Sequence, residues 1–268
     1  MKLKKKSVVK PWGQSIFPSP FHNKRKQKIG EIWFEPPIGV AAGLMVKYLF
    51  TSEKLSIQVH PNDKQARSAG FPHGKEECWL ILHAEPWAKL GIGLTKEVQS
   101  TDLRAAIASG EMENLVNWIP VKTGDFFYIP AGTVHAIGPG IVLVEVQQNI
   151  DLTYRIYDYR RPRELHLDDA MKVALLKPYD MSNHRKVPPD QTMMLVDGQH
   201  FRVFQIIGSD VEMLTDVEAS EWQVIPLDGT AWISGVVIKT GECGICSKQA
   251  DIDLSKNGKF IVACTTNE

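Results

Sequence analysis

Short runs rich in Val, Ile, Phe, Tyr and Trp, each closed off by Gly or Pro, recur along this chain, and that punctuation narrows its fold more than any other feature. They are Gly39 to Phe50, Leu55 to His60, Cys78 to His83, Asp125 to Ile129, Ile141 to Gln148, Phe201 to Ile207, Trp222 to Ile225, Ala231 to Ile238 and Phe260 to Ala263. Strands of this length and spacing pack as a β-sandwich or barrel. The period turns helical between Thr95 and Trp118, where Val98, Leu103, Ala106 and Ile107, then Met112, Leu115 and Val116, form apolar stripes. Two short helices are expected there. A third is expected over 168–176, capped by Asp168 and burying Ala170, Met171, Ala174 and Leu175.

Residues 177–191 carry Pro178, Pro188 and Pro189 among polar side chains and read as a linker. It separates a first domain over 1–176 from a C-terminal β domain over 192–268. One internal echo supports a repeated β unit: Lys122-Thr-Gly-Asp125 and Lys239-Thr-Gly-Glu242 each lead into a β-like stretch. No histidine follows the second copy, so histidine chemistry and any metal ligands belong to the first domain.

Charge and cysteine content exclude several classes of function. Lys and Arg number 31, as do Asp and Glu, so there is no global field to draw nucleic acid or an anionic membrane. A small-molecule partner is expected, and for the chain itself a monomer or weak homodimer. The apolar stretches fall short of the roughly 20 residues that cross a bilayer. The initial lysines meet Lys10-Pro11-Trp12 where a signal peptide would continue apolar, so a cytoplasmic location is expected, with the lysines of Met1 to Lys6 a solvated tail rather than a nucleic-acid arm. Cys78, Cys243, Cys246 and Cys264 are too scattered for a disulfide framework. Cys243-Gly-Ile-Cys246 lacks the second ligand pair of a zinc knuckle and reads as packing.

Ser56-Ile-Gln58-Val-His60 alternates strictly, so Ser56, Gln58 and His60 share one strand face and Leu55, Ile57 and Val59 the other. Alone, this is equally an ordinary half-exposed strand. A second segment, Gly124-Asp-Phe-Phe-Tyr-Ile-Pro130-Ala-Gly132-Thr-Val-His135, joins a strand to a tight Pro/Gly turn that aims His135 inward. From Ile141 onward, Leu143, Glu145, Gln147 and Asn149 share the face opposite Val142, Val144 and Val146. Glu145 is thus an acid in an oily strand, and burying it requires a partner.

The spacing G-x5-P-x-G-x2-H ending at His135 resembles the second signature of the cupin superfamily, and Gln58-x-His60 followed by Glu77 resembles the first. Four segments together resemble the short bacterial form of the mannose-6-phosphate isomerase family. They are Ser-Ile-Gln-Val-His-Pro-Asn-Asp (56–63), Gly-Lys-Glu-Glu-Cys-Trp (74–79), Phe-Tyr-Ile-Pro-Ala-Gly-Thr-Val-His-Ala-Ile (127–137) and Thr-Tyr-Arg-Ile-Tyr-Asp-Tyr (153–159). The likeness covers most of residues 9 to 170 and fades over the last third. Residues 61–76 form an insertion longer than the general cupin signature allows, and the isomerase family shares it.

The resemblance implies a mainly β protein of two cupin (jelly-roll) barrels with a short helical insertion in the first. It further implies one divalent metal ion, usually zinc, held by Gln58, His60, Glu77 and His135, and interconversion of mannose 6-phosphate and fructose 6-phosphate through a cis-enediol. Imidazole and carboxylate donors suit zinc, while a neutral amide oxygen leaves more positive charge on the ion. Aldose–ketose exchange needs a base to move a proton between neighbouring carbons and a group to stabilise the enediolate. By resemblance Lys75, Glu145, Asp151 and Arg155 take catalytic positions, Lys75 as proton carrier and Arg155 as clamp for phosphate or an enediolate oxygen. Ser56 matches a serine at the substrate pocket. By resemblance, long-form relatives carry a His just before the lysine, where this chain has Gly74. The same residues admit plainer readings: a Glu145–Arg155 ion pair, Asp151 capping a turn, Lys75 snorkelling outward. The alternatives in function are an iron-dependent cupin dioxygenase and a non-catalytic cupin that binds sugar phosphate.

Overall fold

The structure, a computed structural model, describes residues 1–23 and 26–266. The first half runs β1 (Lys4–Gln14), β2 (Ile29–Glu35), β3 (Leu44–Phe50), β4 (Ile57–Val59), α1 (Asp63–Ser68), β5 (Glu77–Ala84) and β6 (Lys89–Leu94). It continues with α2 (Ser100–Ser109), α3 (Met112–Leu115), β7 (Val116–Pro120), β8 (Asp125–Ile129), β9 (His135–Ile137), β10 (Ile141–Gln148), β11 (Tyr154–Tyr157) and α4 (Leu167–Val173). A 3-10 turn over 181–183 then leads to β12 (His184–Lys186).

Seven of these strands form one sheet in the order β1-β2-β3-β10-β5-β8-β12, and five form a second in the order β11-β4-β9-β6-β7. Trp79, Ile81, Phe127 and Leu143 from the first sheet pack on Leu90, Ile92 and Ile137 from the second, filling the space between them. Burial of each such side chain contributes about 1.5–3 kcal/mol. Ile57 and Val59, on the outer face of the smaller sheet, are covered by Leu103 of α2, Met112 of α3 and Ala170 of α4.

The second half comprises β13 (Met193–Asp197), β14 (Phe201–Ile207), β15 (Trp222–Asp228), β16 (Thr230–Ile233), β17 (Val236–Lys239), β18 (Gly244–Cys246), β19 (Ile252–Leu254) and β20 (Lys259–Thr265). A five-stranded sheet, β13-β14-β20-β15-β18, faces a three-stranded one, β17-β16-β19. Trp222, Phe204, Phe260 and Ile233 pack between them. Val142, Val144 and Val146 turn their face of β10 onto Phe201, Val203, Ile225 and Ile261, so the oily side of that strand joins the two halves. Glu221 reinforces the junction by accepting the backbone N–H of Gly43 at 2.6 Å and of Leu44 at 3.1 Å. The fold is mainly β, as the strand punctuation requires.

Several local expectations need correction. Lys4 to Lys6 do not form a tail: they open β1, an edge strand paired with β2, where Lys6 meets Glu35 at 2.7 Å. Lysines on an edge discourage further strand pairing while leaving the strand itself intact. Val116 lies on a strand, because β7 pairs with β6 and this pairing overrides the helical stripe. Asp168 does not cap the third helix. His166 holds that position without a side-chain cap, and Asp168, in the first turn, pairs with Arg104 at 2.8 Å. Helix α1 was unforeseen, although its capping box of Asn62 and Gln65 follows the Asn-x-x-Gln spacing. Within 177–191, β12 adds to the first sheet by pairing with β8.

Candidate metal centre

The turn that aims His135 is fixed by its own residues. Thr133 N–H donates to Pro130 O at 3.2 Å and Gly132 sits at φ +84°, the left-handed position of a type II turn that glycine fills without strain. Gly132 N–H also donates to His60 O at 2.8 Å, tying this turn to the end of the strand that carries the other imidazole. In the sheet His135 stands opposite Gln58 on β4. Glu77 opens β5 and reaches the same point from the facing sheet.

His60, Glu77 and His135 are buried together, their donor atoms all within 4.8 Å of one another. Glu77 Oε2 lies 3.4 Å from His60 Nε2, and Oε1 lies 3.3 Å from His135 Nε2. Each imidazole is oriented through its other nitrogen: His60 Nδ1 donates to Leu152 O at 2.8 Å and His135 Nδ1 to Thr133 O at 2.9 Å. A carbonyl only accepts, so both Nδ1 atoms carry the proton and both Nε2 lone pairs point at Glu77. This is the arrangement by which protein backbones hold metal-ligating histidines. Burial, with Lys75 nearby, pushes the His60 pKa down to about 3. Burial also disfavours the Glu77 carboxylate, but the charge of the Lys75 ammonium beside it outweighs this and holds the acid well below the usual range. Two neutral imidazoles and one carboxylate fit a divalent cation by their donor chemistry.

Gln58 reaches the cluster with its amide nitrogen, 3.2 Å from His135 Nε2, while its Oε1 lies 3.5 Å from Ser56 Oγ. Ser56 is buried on the same side. Leu55, by contrast, precedes the strand and packs into the interior with Trp79 and Leu90. The Lys75 side chain points inward: its ammonium donates to His60 Nε2 at 3.0 Å, pairs with Glu77 and lies 3.9 Å from Glu145 Oε1. Glu145 Oε2 accepts from Trp79 Nε1 at 2.9 Å, and its Oε1 meets the Lys47 ammonium at 2.8 Å. Burial and the Glu77 charge together raise the Glu145 pKa.

The remaining candidates stand further out. Arg155 lies opposite Gln58 in the β11–β4 ladder, but its Nη1 donates to Glu164 O at 2.7 Å. Glu145 and Arg155 therefore do not pair with each other. Asp151 is exposed and lines a groove of about 960 Å³ bounded by α1, β11 and α4. Among the described residues it makes no hydrogen bond or ion pair with the cluster, although its charge acts on Arg155.

Sequence reasoning missed Lys47, the partner of Glu145. The available signal was a lysine inside the apolar run Leu44-Met-Val-Lys-Tyr-Leu-Phe, the same anomaly that singled out Glu145. It also missed the bracing of the Lys75 segment. Asp63 Oδ1 accepts Gly74 N–H at 2.8 Å and Gln148 Nε2 at 3.1 Å, while Gln148 Oε1 accepts Glu76 N–H at 2.9 Å. A Cβ at Gly74 would stand 2.4 Å from Pro61 O, so this backbone path excludes any side chain there.

A β-barrel protein carrying a buried His–Glu–His triad able to hold a metal is the class that fold and site define. Comparison with known proteins narrows it. The mannose-6-phosphate isomerase of Streptococcus mutans is 39% identical over 177 residues, a stretch that covers 62% of this chain and 55% of that protein. The match thus spans about half the length of the curated relative. Among solved structures, the mannose 6-phosphate isomerase from Bacillus subtilis superposes with a TM-score of 0.74 at 25% identity, covering 98% of each chain. A putative mannosephosphate isomerase from Archaeoglobus fulgidus, at 17% identity, shares the fold with a TM-score of 0.75 over 99% of this chain and 97% of that one. No family model matches the chain.

Proposed function

We propose that this chain is a metal-dependent aldose–ketose isomerase that interconverts mannose 6-phosphate and fructose 6-phosphate through a cis-enediol. The observation that carries the reading is the Lys75 ammonium bridging the triad and a second buried acid, in contact with Glu77 and 3.9 Å from Glu145. A proton carrier beside a cation-binding cluster is what transfer between adjacent carbons requires. Relatives named mannose-6-phosphate isomerase support mannose 6-phosphate as a substrate.

His60, Glu77 and His135 would hold the ion, joined by Gln58 once its amide turns so that the oxygen, now beside Ser56 Oγ, faces the triad; zinc is the best match to the donors. When bound, it supplies positive charge that polarises the oxygens on C1 and C2 of the open-chain sugar. With its ammonium proton first passed to Glu145, Lys75 Nζ takes the proton from C2 of the aldose and returns it to C1, while the hydroxyl proton of O2 moves to O1, so the reaction is balanced with no outside reactant. Glu145, its carboxyl raised by burial and by Glu77, serves as proton reservoir behind Lys75. The Arg155 guanidinium stabilises the enediolate. Asp151, at the outer end of the site, assists proton transfer, and Ser56, at the inner end, contacts the sugar phosphate.

A coupled assay on purified, metal-loaded protein tests the reading, together with solvent deuterium entering C1 or C2. Formation of fructose 6-phosphate with deuterium uptake is expected. Tight sugar-phosphate binding without exchange would leave a non-catalytic cupin, and oxygen uptake with ferrous iron but no isomerisation would leave a dioxygenase.

A further inference from the structure

Beyond β11 the chain reverses through Asp158-Tyr-Arg-Arg161, closed by Arg161 N–H donating to Asp158 O at 2.9 Å. Tyr159 and Arg160 stand at φ +53° and +63°, two successive left-handed residues without a glycine. Each such residue is strained by roughly 1–2 kcal/mol and persists only where its surroundings over-determine it. What over-determines them is Asp158. Its buried carboxylate accepts Arg163 Nε at 2.5 Å and Nη2 at 2.7 Å, a two-pronged contact, and Arg161 Nη1 at 3.3 Å. Arg161 Nη2 in turn donates to Lys54 O at 2.5 Å, anchoring the turn to the chain just before Ser56.

The segment folded in this way returns as Glu164, whose carbonyl holds Arg155 Nη1, and His166, whose N–H donates to Arg155 O at 2.8 Å. His166 Nδ1 also accepts Arg155 N–H at 3.2 Å. Among the described residues Arg155 Nε is buried with no partner of its own, a donor opposite Gln58 in the ladder.

We infer that Asp158 is a positioning residue: by neutralising Arg161 and Arg163 and holding the strained turn, it fixes the Glu164 carbonyl that orients the Arg155 guanidinium toward the reacting sugar. The inference rests on the isomerase reading and names a residue that acts through Arg155 without touching substrate. Because Arg155 stands opposite Gln58 in the β11–β4 ladder, its displacement is expected to affect turnover more than binding.

The test is Asp158→Asn, Arg155→Ala and their combination, in metal-loaded full-length protein, with thermal midpoint and metal content measured beside kinetics. Asp158→Asn is expected to lower kcat by up to about 10²-fold with KM within about two-fold and metal content unchanged, as a misplaced catalytic group does. The double variant should be no slower than Arg155→Ala alone. A kcat within two-fold of the parent, or losses that multiply in the double variant, overturns the inference. Should Asp158→Asn fail to fold, Arg163→Lys decides, since it keeps the charge but loses the two-pronged contact: lowered kcat at full metal content supports the inference, and unchanged kcat overturns it. If the parent shows no isomerase activity, the functional reading fails instead. The Arg155 Nε–Hε signal, identified by its loss in Arg155→Lys, then tests the arrangement alone: a shift in Asp158→Asn supports it and an unmoved signal overturns it.

Discussion

Lys47 Nζ and Glu145 Oε1 meet at 2.8 Å from directly opposed positions on β3 and β10, neighbouring strands of the first sheet. Both side chains are buried. Burial works against the lysine's charge, yet Glu145 and Glu31 hold its pKa above the ordinary value. Removing one partner leaves the other as an uncompensated buried charge, so Lys47→Met is expected to lower unfolding free energy by about 3–5 kcal/mol. Pairing it with Glu145→Gln should recover part of that loss. Denaturant titration of the single and double variants measures it, and losses that simply add would show that the two charges are not coupled.

Metal binding gives a second expectation. His135→Ala removes one of the three donors and opens the site beside Trp79, whose ring packs edge-on to the imidazole at 5.4 Å. Bound divalent metal, measured by elemental analysis after desalting, should fall to background. Adding metal to the chelator-treated parent should raise its thermal midpoint, since a ligand at 100 times its Kd contributes about 2.7 kcal/mol to stability. Full stoichiometry in the variant would mean that the ligand set is wrong.

A third expectation concerns Gly74, the residue before Lys75. The backbone of Pro61 to Asp63 occupies the space a Cβ would need at Gly74. Gly74→Ala is expected to cost about 1–3 kcal/mol through overpacking, and to lower activity further by shifting Lys75, whose N–H is tied to Pro61 O at 3.0 Å. Gly74→His should be no more active than Gly74→Ala. A gain of activity in Gly74→His would show that the insertion relaxes around a side chain and that histidine belongs in the proton transfer.

Strand periodicity exposed the parts of the site that lie on regular strands. Alternation in β10 separated Glu145 from the valines that join the two halves, and alternation around β4 put Ser56, Gln58 and His60 on one side. The turn at Gly132 was equally legible, because a left-handed position in a Pro-Ala-Gly run has few alternatives. What stayed hidden depends on contacts between distant segments. Lys47 became a site residue only once β3 paired with β10, and β1 became a strand only because β2 was available to pair with its lysine-rich sequence. The groove beside Asp151 is formed by α1, β11 and α4 together, and no local pattern encodes that meeting. The hold of Glu164 on Arg155 likewise appears only after a turn made from two left-handed residues that sequence would not assign to such a conformation.

Acid stability provides the last expectation. Glu31 is buried beside Lys10, at 3.3 Å, and donates nothing itself but accepts from Trp33 Nε1. Burial alone would raise its pKa; Lys47, Lys10 and the indole N–H outweigh that and bring it below the ordinary 4.5. A carboxyl whose folded value lies below its unfolded one binds fewer protons in the folded state, so its stabilisation is complete above about 4.5 and is lost as pH falls through the folded value. Glu31→Gln should therefore be less stable than the parent at neutral pH, with the difference shrinking as pH drops below about 4.5. Thermal midpoints of the two proteins measured from pH 7 down to pH 3 check the sign. A difference that widens toward acid would mean that Glu31 is protonated in the folded chain and that its two lysines are neutralised by other groups.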